Sequence, residues 1–105
     1  MSVRVNEKSF ETEVLKSAVP VLADFYSDSC VPCKRLSPVL ADIEEQYADR
    51  LKVAKININF DAELTEKYEV QAAPTLLFFE NGQEIARLKG AIKKSDITEL
   101  LQNLK

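Results

Sequence analysis

The chain has 105 residues, 46% of them hydrophobic and 30% charged, with 14 basic against 17 acidic side chains and a formal net charge of -3. That length and balance predict one domain, spanning 1–105, with a real core and no room for a second. The basic residues are scattered, which argues against a nucleic-acid footprint or a polybasic membrane anchor, and the longest apolar runs, Val19 to Ala23 and Thr75 to Phe79, are too short to cross a bilayer. The stretch from Met1 to Glu7 lacks the apolar centre of a signal peptide, so the cytosol is the expected location and a monomer the expected state.

In chain order, Val3 to Val5 reads as a short edge strand, and Asn6 as the cap of a helix with Phe10, Val14 and Leu15 on one face. After Pro20, the run from Val21 to Tyr26 reads as a buried strand carrying one charge, Asp24. Leu36, Val39, Leu40, Ile43 and Tyr47 recur at three- and four-residue spacing, which predicts a helix from near Pro32 to about Tyr47, bent at Pro38. A third strand from Val53 to Ile58 again carries a lone charge, Lys55, and Asp61 is placed to cap a short helix with Leu64 and Tyr68.

Thr75 to Phe79 is almost unbroken apolar sequence, as in a central strand covered on both faces. Asn81-Gly82 is the strongest hairpin signal in the chain and predicts that Gln83 to Lys89 returns antiparallel. Ser95 then caps a last helix with Ile97, Leu100, Leu101 and Leu104 as its apolar stripe. The order β-α-β-α-β-α-β-β-α implies an α/β fold, a central mixed sheet flanked on both faces by helices. Such folds put reactive groups where a central strand ends and a helix begins.

The only two cysteines, Cys30 and Cys33, occupy such a junction, in a chain with no histidine. In a reducing compartment a disulfide kept only as a staple is disfavoured. Closing a ring of about four residues would contribute about 1.9 kcal/mol on loop entropy, against about 3 for fifteen. Pro32 suits a first helical turn, where its missing N–H has no partner to lose. Cys30 then lies beside unpaired N–H groups and the positive end of the helix dipole, which favours its thiolate by about 1 to 2 kcal/mol and makes it a good leaving group. Cys33, one turn further in, is expected to be the more buried and to act as the resolving thiol. Two cysteines without histidine do not complete a four-ligand zinc site in one chain, and the base of a cysteine hydrolase is missing. A purely structural pair remains the plain alternative.

Taken together, Asp24-Phe25-Tyr26, Cys30-Val31-Pro32-Cys33-Lys34 followed by Pro38, Ala73-Pro74-Thr75, Asn81-Gly82 and Gly90-Ala91 resemble the thioredoxin family over essentially the whole length. The resemblance implies the thioredoxin fold and reversible dithiol-disulfide exchange with disulfide-containing proteins, with electrons returned by a thioredoxin reductase or an equivalent donor. No metal or bound organic cofactor is implied beyond the Cys30-Cys33 pair.

By the same resemblance Asp24 is the buried acid beneath the pair. Burial raises its pKa so that it exchanges a proton with Cys33, directly or through water, while Lys55 moderates the shift as a coupled partner. Pro74 corresponds to the cis-proline facing the disulfide, and Ala73 offers backbone to an extended substrate segment. Val31, Pro32, Ala73, Gly90 and Ala91 form a small apolar docking surface. Ser29 stands where the family usually has tryptophan and Val31 where it has glycine, which removes a flat contact and stiffens the turn. Two other readings share the fold: a glutaredoxin-like enzyme, disfavoured by proline in the second intervening position followed by Lys34, and a binding module that uses redox state only as a switch.

Overall fold

A computed structural model describes residues 2–103. Strands β1 (Val3–Arg4), β2 (Val21–Tyr26), β3 (Lys52–Asn57), β4 (Thr75–Glu80) and β5 (Gln83–Lys89) form one sheet in the order β1-β3-β2-β4-β5. The first three are parallel to one another, while β4 runs antiparallel to β2 and to β5. Helices α1 (Val31–Tyr47), α2 (Ala62–Lys67) and α3 (Lys94–Asn103), with a π-helical turn over Glu11–Leu15 and a 3-10 turn over Ala48–Arg50, complete the fold.

Alternation along the strands divides the core in two. Val21, Ala23, Phe25, Ala54, Ile56, Leu77 and Phe79 pack with Phe10 and Val14 from the first helical turn and with Leu64 from α2. Leu22, Val53, Leu76 and Phe78 pack on the other face with Leu36, Leu40 and Ile43 from α1 and Ile97 from α3. The first half is pinned by an aromatic triangle: Phe10 and Tyr68 lie at 5.2 Å, Phe10 and Phe79 at 5.8 Å, and Tyr68 and Phe79 at 5.6 Å between ring centres. Phe79→Ala removes two of these edge contacts and leaves a void in the sheet, so it is expected to destabilise the protein by about 3 to 5 kcal/mol. Urea unfolding would register this as a lower midpoint with an unchanged slope.

The hairpin turns at Asn81-Gly82, both residues having positive φ, as read from the sequence. A side chain at Gly82 would meet the Leu15 carbonyl oxygen at 3.0 Å, so glycine is required there for space as well as conformation. On β5, Arg87 is held by Glu84 at 2.8 Å and donates to the carbonyl of Tyr68 at 2.9 Å, tying the sheet edge to the end of α2.

Four details depart from the sequence reading. The Asn6 side chain does cap the first helical segment, accepting from the N–H groups of Lys8 at 2.9 Å and Ser9 at 3.0 Å. That segment is a widened π turn, closed by Lys16 N–H on the Glu11 carbonyl at 2.8 Å. The third strand begins and ends one residue earlier than Val53 to Ile58. Asp61 sits at the cap position of α2 but makes no side-chain cap bond. Ser95 lies inside α3, and Asp96 reaches back instead to accept from Lys93 N–H at 2.9 Å. Both acids show that a capping residue type marks a helix start only to within a residue or two. Pro38 lies within α1, which continues through it as one element. Leu104 lies outside the described residues.

Candidate active site

The site forms where the central strand β2 ends and α1 begins, at the end of the sheet nearest Pro74. Cys30 is the N-cap of α1 in an extended conformation, and Pro32 follows in the first turn. That turn contains no acidic residue to oppose a thiolate. The N–H of Cys33 points at Cys30 Sγ at 3.1 Å, so one of the free donors of the helix end is aimed at the sulfur. Cys30 and Cys33 are joined as a disulfide. Cys30 is half-buried, whereas Cys33 is 7% exposed, the asymmetry expected of an entering and a resolving sulfur.

The next strand supplies the opposite wall. β4 lies beside β2 with Thr75 opposite Phe25, so the Ala73-Pro74 segment leads in directly against the cysteines. The Ala73-Pro74 peptide is cis. Cys30 Sγ lies 3.4 Å from the Ala73 carbonyl oxygen. The Pro74 carbonyl accepts from Gly90 N–H at 3.2 Å, which brings the Gly90-Ala91 loop to the same end of the sheet. Val31 is 56% exposed, Pro32, Gly90 and Ala91 are exposed, and Ala73 is half-buried. Of the residues singled out in the sequence, Pro74 alone among this group is buried.

Behind the disulfide, Asp24 points to the α1 face of the sheet, since it alternates with Ala23 and Phe25 on the other face. It is 3% exposed, and its Oδ1 has no hydrogen-bond partner among the described residues. Burial pushes its carboxyl up from 3.8 to about 6, and the charge of Lys55 draws it partly back down. Lys55 is directly opposite Asp24 in the strand register. Its ammonium, however, donates to Ser37 Oγ at 3.1 Å, and no ion pair joins it to Asp24 among the described residues. Lys55 thus moderates the Asp24 shift, as the sequence reading expects, and does so through space while Ser37 of α1 holds its tip. A cavity of about 420 Å³ is lined by Asp24, Cys33, Ser37 and Lys55. Polar walls and that volume suit it to water.

Sequence reasoning missed Ser37 and a polar seam ahead of Cys30. Asn57 donates to Asp28 Oδ2 at 3.2 Å, Asn59 donates to Ser27 Oγ at 3.2 Å, and the Ser27 and Ser29 hydroxyls lie 3.3 Å apart. The signal available was positional: Asn57 and Asn59 are polar residues at the carboxyl end of a central strand. Among the described residues no group of three or more His, Cys, Asp or Glu is placed to hold a metal ion, and no helix is long and apolar enough to cross a membrane.

A disulfide that takes up two electrons on opening to a dithiol, at a strand-to-helix junction on this fold, is the arrangement of a thiol-disulfide oxidoreductase, and the protein is an enzyme of that class. Residues 1–103 match the family model for thioredoxin. The chain is 44% identical to the thioredoxin of Acidithiobacillus ferridurans over 94% of its own length and 92% of the relative's. It is 38% identical to that of Rickettsia bellii over 98% of both chains, and 40% identical to that of Pseudomonas aeruginosa over 94% and 92%. The chain belongs to the thioredoxin family. Its dithiol-disulfide chemistry runs on Cys30 and Cys33 themselves.

Proposed function

We propose that this protein reduces disulfides in other proteins, working as a single-domain electron carrier of the cytoplasm that is recharged by a thioredoxin reductase or an equivalent donor. The observation that supports the reading best is the asymmetry of the pair, Cys30 at the mouth of α1 and Cys33 mostly buried behind it, lining one cavity with Asp24.

In the reduced protein the Cys30 thiolate, held by the Cys33 N–H and the helix end, attacks one sulfur of the substrate disulfide. A mixed disulfide forms, and the first substrate sulfur leaves as a thiolate that takes up a proton. Cys33 then gives its proton to the Asp24 carboxylate through water in the cavity that both residues line and attacks Cys30 Sγ. The mixed disulfide breaks, the second substrate sulfur leaves as a thiolate that takes up a proton from water, Asp24 releases the proton it received from Cys33 to water, and Cys30-Cys33 is closed. The substrate has gained two electrons and two protons, and the dithiol has lost them. Lys55 sets how tightly Asp24 holds the proton. Pro74 shapes the wall against which Val31, Pro32, Ala73, Gly90 and Ala91 meet the substrate, with the Ala73 backbone pairing to an extended segment. No metal or organic cofactor enters these steps.

Reduction of insulin with dithiothreitol as electron source tests the reading. The parent protein is expected to accelerate precipitation of the insulin B chain well beyond dithiothreitol alone. A rate equal to dithiothreitol alone would instead identify a binding module that uses the disulfide only as a switch.

A further inference from the structure

Three large apolar side chains are exposed among the described residues: Val31, Ile85 and Phe60. Val31 flanks the disulfide and Ile85 lies on the edge strand, but Phe60, at 78%, is by far the most open. It stands on the connection between β3 and α2, and that connection is hydrogen-bonded to the loop leading into Cys30. Besides the Asn57–Asp28 and Asn59–Ser27 bonds, Ile58 N–H donates to the Tyr26 carbonyl at 2.9 Å and Phe60 N–H to the Asn57 carbonyl at 3.1 Å. The turn presenting the ring and the loop presenting the sulfur are thus one braced unit. The backbone that carries the ring is therefore already ordered before anything packs on it.

The space between the two is a groove. The cavity beside Cys33 and a second cavity of about 440 Å³ beside Asn57 and Phe60 share four lining residues, Arg4, Tyr26, Asp28 and Lys55, so they adjoin one another. Arg4 and Lys55 are matched along it by Asp28 and Asp61, so neither sign of charge is selected. What the groove leaves unmatched is the apolar ring at its far end. Ser29, next to Cys30, adds no apolar area on that side.

We propose that this groove holds a protein substrate on the Cys33 side of the site, with an extended segment crossing Tyr26 and an apolar side chain of the substrate packed on Phe60. The proposal rests on the redox reading above and adds a specificity residue to it. The groove reaches Cys33, so a chain lying in it is held beside the sulfur pair. A second copy of the protein is a poorer occupant, because one aromatic ring offers about 150 to 250 Å² while a stable interface needs about 800 Å² from each partner.

The test compares insulin with the small chromogenic disulfide 5,5'-dithiobis(2-nitrobenzoate), reduced by the parent, Phe60→Ser and Phe60→Leu under the same donor. The small disulfide reads sulfur chemistry alone and serves as the internal reference. Phe60→Ser is expected to lower the ratio of insulin to small-disulfide kcat/KM by about tenfold, chiefly through KM, with Phe60→Leu within about threefold of the parent. Thermal unfolding of the variants controls for folding, which an exposed ring does not support. An unchanged ratio in Phe60→Ser, or equal losses in the serine and leucine variants, overturns the proposal while leaving the redox reading intact. So does a parent dimer in sedimentation that Phe60→Ser dissolves without changing the ratio. A parent that reduces neither disulfide overturns both.

Discussion

Cys30→Ser is expected to abolish insulin reduction, with a loss of more than about a thousandfold, because a hydroxyl at the helix mouth is not ionised near neutral pH and is a poor nucleophile toward sulfur. Cys33→Ser is expected to lose turnover as completely, but for a different reason. Its Cys30 still attacks, and the product is a mixed disulfide with the substrate that nothing resolves. Mass spectrometry of Cys33→Ser after one exposure to a disulfide-bonded protein should therefore show a stoichiometric adduct, and Cys30→Ser should show none. The 7% exposure of Cys33 is the reason the two variants differ, since a substrate sulfur reaches Cys30 far more readily. Adducts of equal yield on both variants would reverse or erase the assigned order of attack.

Asp24→Asn is the second large effect, and it acts on stability and on rate in opposite directions. The folded protein holds a proton on Asp24 up to about pH 6, whereas the ordinary carboxyl releases it near 3.8. A group whose pKa is raised by folding contributes its full share below the lower value and loses it as pH climbs through the higher one. At about 1.4 kcal/mol per pH unit, that gap corresponds to about 3 kcal/mol. The asparagine variant cannot ionise, so its advantage should be near zero below pH 4, grow between 4 and 6, and level off at about 3 kcal/mol by pH 8. Denaturant unfolding of both proteins across this range measures it directly. The rate at which the mixed disulfide resolves should fall by at least about tenfold at pH 7 in the same variant, and recover toward the parent as the solution becomes more alkaline. Stability gained without any change in resolution would make Asp24 a purely architectural group.

Most of this framework was legible in the sequence because it rests on patterns of short range. The apolar run from Val21 to Tyr26 after Pro20, the three-and-four spacing from Leu36 to Tyr47 and the Asn81-Gly82 turn each encode their element locally, and β2, α1 and the hairpin stand where those patterns placed them. The cysteine pair was legible for the same reason, since its spacing and Pro32 fall in a single turn. Contacts across elements were harder to foresee. Lys55 and Asp24 are in register, yet the ammonium is drawn to Ser37 on α1, a choice set by the height of the helix above the sheet. The seam linking Asn57 and Asn59 to the Cys30 loop likewise depends on β2 and β3 lying side by side, which no local pattern records.

The β5 margin has a consequence for how this molecule meets extended chains. A strand at the border of a sheet exposes a row of free amides and carbonyls that any passing polypeptide could zip onto. Here that row is interrupted by a register shift beside Phe78 and Phe79 and studded with Glu84, Arg87 and Lys89, with the Arg87 guanidinium locked down onto α2. Such a border disfavours a visiting backbone, which suits the proposed pairing beside Ala73, whose carbonyl oxygen lies 3.4 Å from Cys30 Sγ.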